Sequence, residues 1–99
     1  MAQYSVYRLK DGSGYVVDLQ AAALDFLNTR VVAPLLDKRE YQRPFHRSNP
    51  EFEINGQVYV LAAHFIATIH QVELGEHVVN LLPEDHRITR ALDLVFHGI

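Results

Sequence analysis

The sequence contains no cysteine, which excludes a disulfide framework and any thiolate metal site. It has no tryptophan and a single methionine. No apolar run approaches the ~18 residues of a membrane-spanning helix. The opening stretch MAQYSVYRLK alternates apolar and polar residues and has no signal-peptide core. Basic residues are also scarce: nine Lys and Arg against twelve Asp and Glu leave a net charge of −3. A broad face that grips DNA or RNA needs the opposite balance. Together these absences predict a cytoplasmic protein with no membrane contact.

What is present is apolar and evenly spread. Hydrophobic residues make up 48% of the 99 positions, enough for a single domain over 1–99 with one modest core. Dimerisation would add usefully to so small a core. Residues 3–9 read as a strand, with Tyr4, Val6 and Arg8 on one face and Ser5, Tyr7 and Leu9 on the other. Asp11-Gly12 and Gly14 supply a turn, and residues 15–19 return as a second strand. AAALDFLNT has the composition of a short helix. RVVAPLL has the β-branched richness of a third strand, with Pro34 marking its end or an edge.

Residues 37–50 carry many charges and two prolines and read as an exposed loop. Strands resume at 51–54, turn at Asn55-Gly56, return over 57–62 and continue over 67–72, with Gly75 as a break. Pro83, Glu84 and Asp85 suit a first helical turn. Ile88, Ala91, Leu92, Val95, Phe96 and Ile99 then fall on one helical face. The pattern is a mainly β chain closed by one C-terminal helix.

Few residues suggest bond-making chemistry. The six histidines show no spacing that sets two imidazoles beside a carboxylate, so no metal or other cofactor is expected. Thr29-Arg30 could serve phosphoryl chemistry, but a turn hydroxyl and a salt-bridging arginine explain the pair more simply. Asp18 suits a turn better than a catalytic base. No nucleophile–base pair stands out, and no catalytic residue is assigned. Lys38, Arg39, Arg43 and Arg47, interleaved with Tyr41 and Phe45, could stack on single-stranded nucleic acid. Asp37 and Glu40 dilute that patch into a solvated loop.

The final residues pose the sharper question, because chain ends are usually polar and frayed. RALDLVFHGI keeps its apolar stripe to the last position. Either Phe96 and Ile99 pack on the body or on a twin protomer, or Gly98 ends the helix and leaves a docking tip.

Two stretches resemble a known family. VVDLQAAALDFLNTRVVAPL, residues 16–35, is similar to the signature of CcdB-type toxins: VDVQ, a short apolar-Asp stretch, then Arg, β-branched residues and Pro-Leu. The ending ALDLVFHGI resembles that family's AINLMFWGI, and LGEHVVNL and the YSVYR hairpin agree in spacing. The resemblance implies an SH3-like β-barrel with a small additional sheet and one C-terminal α-helix, built as a homodimer.

The resemblance also implies the toxin of a toxin–antitoxin system. Such a toxin is no enzyme: it binds the A subunit of DNA gyrase and traps its cleavage complex. The carried-over gyrase contacts are Phe96, His97, Gly98 and Ile99, with Leu24 in a neighbouring region and Asp93 where the family has asparagine. A CcdA-like antitoxin with a disordered C-terminal segment would neutralise it. Operator DNA would be bound only through that antitoxin.

His97 stands where a tryptophan is usual. Imidazole offers a smaller face to an arginine than indole, and histidine ordinarily gains a proton near pH ~6.5. Weaker docking than with tryptophan is therefore expected, more so in acid. Two other functions fit the same resemblance: an endoribonuclease toxin on the same barrel, with Thr29 and Arg30 as its candidates, or a non-toxic homologue that only binds antitoxin.

Overall fold

Turn chemistry sets the hairpins. Asn55 and Gly56 both adopt positive φ, 53° and 81°, as a type I′ turn requires, and they set Ile54 opposite Gln57. Gly12 and Gly14 take positive φ in the first hairpin, where Val6 pairs with Val17. A computed structural model of the chain describes residues 2–41 and 49–98.

Seven strands follow in order: β1 (Ser5–Leu9), β2 (Tyr15–Asp18), β3 (Thr29–Asp37), β4 (Glu51–Ile54), β5 (Gln57–Leu61), β6 (Ala67–His70) and β7 (Leu74–Asn80). They form one antiparallel sheet, β4-β5-β3-β2-β1-β7, with β6 also paired to β3. The sheet curls into a half-barrel with a single C-terminal helix, α1 (Asp85–His97).

Strand alternation builds two apolar clusters. Val6, Val17, Ala33 and Leu35 join Leu61, Ile88 and Ala91 in the main core. Tyr7, Val16, Val32 and Leu74 form a smaller cluster on the sheet's other face. Ile88 and Ala91 seat α1 on the main core, fully buried. Arg87 ties the helix to β4: it donates to the Glu51 carbonyl at 2.7 Å and lies 4.6 Å over the Phe52 ring.

Four expectations need correction. Pro34 is neither the end nor an edge of its strand, because β3 runs through it from Thr29 to Asp37. Beyond β2, β3 pairs with β6 through Val32 and with β5 from Leu35. Pro34 sits in the gap between those partners, where a missing N–H leaves no acceptor unserved. Its carbonyl still accepts from Ala62 N at 3.0 Å. The stretch expected as a short helix is only a 3-10 turn, Ala22–Leu24, in which no residue is buried. With no apolar face against the body, a longer helix has nothing to stabilise it.

The strand expected over 67–72 stops at His70 and becomes a 3-10 turn, Gln71–Glu73, capped by the Glu73 side chain on the His70 N–H. Gly75 does not break the chain; it lies inside β7. A Cβ there would fall 2.7 Å from the Arg8 carbonyl oxygen, so the residue permits the close approach of β1 and β7. Gly75→Ala should therefore destabilise the fold by about 1–3 kcal/mol. Urea denaturation reads this directly, and an unchanged midpoint would refute the close-approach argument. Of the loop expected over 37–50, Asp37 belongs to β3 and residues 42–48 lie outside the described residues.

Candidate functional site

The apolar stripe of α1 outruns the body it packs on. Ile88 and Ala91 are buried and Leu92 half-buried, but Phe96 is 64% exposed. Gly98 ends the helix in the left-handed conformation, φ 75°, and its N–H donates to the Leu94 carbonyl at 3.0 Å. Glycine takes that conformation without the strain a Cβ would add.

Phe96, His97 and Gly98 thus project from a fixed helix end, all exposed. Asp93, also exposed, stands one turn before His97 on the same face. The helix C-terminus adds partial negative charge. An aromatic ring flanked by negative charge suits a partner offering an apolar slot beside a cation. Ile99, the last residue of the expected tip, lies outside the described residues.

Leu24 comes from another element, the 3-10 turn between β2 and β3, and is 43% exposed. Its neighbours Phe26 and Leu27 are also exposed, Phe26 at 80%. The resemblance singles out only Leu24. The other two are legible as apolar residues in a segment with no helical or strand periodicity.

A buried polar cluster lies beneath this loop. Arg30 on β3 is the largest fully buried side chain among the described residues. Its Nε and Nη2 donate to Asp18 Oδ2 at 3.1 and 2.5 Å, and its Nη1 donates to Asp25 Oδ1 at 2.8 Å. Gln20 completes the cluster. Its backbone N–H donates to Asp18 Oδ1 at 3.0 Å, its Nε2 to the Leu24 carbonyl at 2.9 Å, and its Oε1 accepts from Val31 N at 3.0 Å.

Burial alone would weaken Arg30's hold on its proton. The hydrogen bonds to Asp25 and Asp18 outweigh it, and the pKa lies above the ordinary arginine value. The same bond from Arg30 holds the Asp25 carboxyl below its ordinary value. The Asp25 contribution is therefore complete above the ordinary carboxylate range and is lost as pH falls through the lowered value.

This geometry decides what Arg30 can do. Its guanidinium is 1% exposed and committed to two carboxylates, so it cannot meet an RNA phosphate without breaking both ion pairs. The cations of the charged loop that the structure describes are also engaged. Lys38 pairs with Glu51 at 3.1 Å and Arg39 with Asp37 at 2.9 Å; Arg43, Phe45 and Arg47 lie outside the described residues.

Among the described residues, no group of three or more His, Asp or Glu side chains is placed to hold a metal ion. On the sheet's second face, Val16, Val32, Pro34 and Ile69 floor a recess of about 420 Å³, with Phe65 and Val72 also lining it. Lys10 is its one cationic lining residue, against Asp11 and Glu73.

The CcdB protein family matches residues 3–98 of the chain. No curated protein matches it significantly. Several solved structures share its shape. An endoribonuclease in complex with its cognate antitoxin, from a mycobacterial species, has a TM-score of 0.79 at 19% identity, covering 96% of this chain and 93% of that one. A second mycobacterial endoribonuclease has a TM-score of 0.80 at 17% identity, covering 96% and 89%. The Mycobacterium tuberculosis toxin MazF-mt6 has a TM-score of 0.76 at 16% identity, covering 95% and 96%. At such identities the likeness is one of fold.

Proposed function

The chain belongs to the CcdB family, and from that premise we propose that it is a toxin–antitoxin toxin that poisons DNA gyrase. Its C-terminal tip docks on the A subunit of gyrase and holds the enzyme on cleaved DNA. The observation that carries this reading is the helix end itself. Phe96 stands 64% exposed beyond the last buried residue of α1, with Gly98 closing the helix behind it. An aromatic anchor on a rigid element is a common source of binding energy.

In a two-fold homodimer the tips of both protomers would address a target that is itself two-fold. Exposed Leu82, Val79 and Val95 supply apolar surface for the twin contact. The protein acts by binding, not by bond-making, in the cytoplasm where gyrase works. Burial of Arg30 supports this over ribonuclease chemistry. A cognate antitoxin with a disordered segment would cover the tip, and operator DNA would be reached only through that antitoxin.

A cleavage assay tests the reading. Purified protein incubated with gyrase, ATP and supercoiled plasmid, then denatured and proteolysed, should yield linear DNA absent without the protein. Failure to accumulate linear DNA would refute poisoning. Cleavage of a long RNA by the folded protein would move the function to a ribonuclease.

A further inference from the structure

We infer that Arg30 is a positioning residue for docking: through Asp18 and Asp25 it holds loop 21–28 so that Leu24, Phe26 and Leu27 face the partner that the tail engages. The choice of partner rests on the gyrase reading above. All eight loop residues are exposed, so no apolar packing orders the loop from beneath. It is ordered by polar groups instead. Arg30 grips the Asp25 carboxylate, Gln20 grips the Leu24 carbonyl, and Gln71 N donates to the Asn28 carbonyl at 2.8 Å. Short i→i−3 bonds from Leu24, Asp25 and Leu27 close the turn.

Stability alone is a poor reason for this arrangement. A buried ion pair replaced by well-packed apolar side chains is often neutral or stabilising. What the cluster provides is one conformation of a loop whose large side chains face water. Holding apolar side chains still before contact removes the ordering entropy that binding would otherwise have to overcome. Three such side chains beside an exposed aromatic tip extend the docking surface beyond the helix end.

Asp25→Ala tests this without emptying the core, because Asp25 is partly exposed and the Arg30–Asp18 pair survives the change. Three quantities are read on the full-length protein: the thermal midpoint, amide exchange at Leu24, Asp25 and Leu27, and affinity for the dimeric central fragment of gyrase A. The expected result is an almost unchanged midpoint, faster exchange at those amides and affinity weakened about tenfold. Phe26→Ala should weaken affinity without changing exchange, and Asp25→Asn, which keeps an acceptor for Arg30, should recover part of the loss.

Unchanged exchange in Asp25→Ala would overturn the positioning role. Faster exchange with parental affinity would show that the loop does not dock. Parental protein that fails to bind the fragment would overturn the gyrase reading instead, and the inference would fall with it. Because parental binding is measured first, the two failures are distinguishable.

Discussion

Deleting residues 97–99 should abolish binding to the dimeric central fragment of gyrase A while leaving the protein folded. The fold should barely register the loss. The buried helix residues, Ile88 and Ala91, lie more than a turn upstream, and the deletion removes one described backbone bond, from Gly98 N to the Leu94 carbonyl. Binding should respond very differently. Removing a central anchor typically costs about 2 kcal/mol or more, so affinity should fall at least about 30-fold and to undetectable levels if both tips of a dimer engage.

Calorimetric titration of the two proteins side by side decides the matter. Parental affinity in the truncated protein would remove the tip from the mechanism. His97→Trp in the same titration should bind more tightly, because indole presents a larger π face to a cation. Equal affinities would show that position 97 makes no such contact.

Arg30→Ala should cost about 3–5 kcal/mol of stability, the usual penalty for stripping one partner from a buried ion pair. Asp18 is fully buried and would keep only the Gln20 N–H as partner from the present cluster. Against a typical total of about 5–15 kcal/mol, that loss is a large fraction of the fold. Urea denaturation should show it as a lowered midpoint, and a change within about 1 kcal/mol would contradict the account.

The double variant Asp18→Leu with Arg30→Met removes both charges and should recover most of the stability. It should not recover loop order, because Asp25 still lacks its cation. The size of the effect also bears on the ribonuclease reading. Activity lost in Arg30→Ala would reflect unfolding unless the folded fraction were measured alongside it.

Much of the architecture was legible because local chemistry dictated it. Asn55-Gly56 and Asp11-Gly12 announce their turns through backbone conformations that few other residues adopt freely. Alternation over residues 5–9 and 15–18 separates the two faces of the first hairpin. The helical stripe from Ile88 to Phe96 identifies α1. The reading failed where a residue answers to a distant strand. Pro34 looked like a strand end because its tolerance depends on where β6 gives way to β5. Gly75 looked like a break because the Arg8 carbonyl that requires glycine lies 67 residues away in the chain.

The candidate site divides in the same way. The sequence by itself determined the apolar tail and the glycine that stops its helix, because helical periodicity and left-handed backbone are local properties. It also marked Arg30 as a salt-bridging residue, but not its partners. Only the tertiary structure decided that Phe96 lies beyond the body while Ile88 lies within it, since that depends on where the sheet ends beneath the helix. Only the tertiary structure joined Asp18, Asp25 and Arg30 under an exposed apolar loop. A buried charge must be met by groups folded onto it, and the residues that meet it are chosen by the packing of strands rather than by their spacing along the chain.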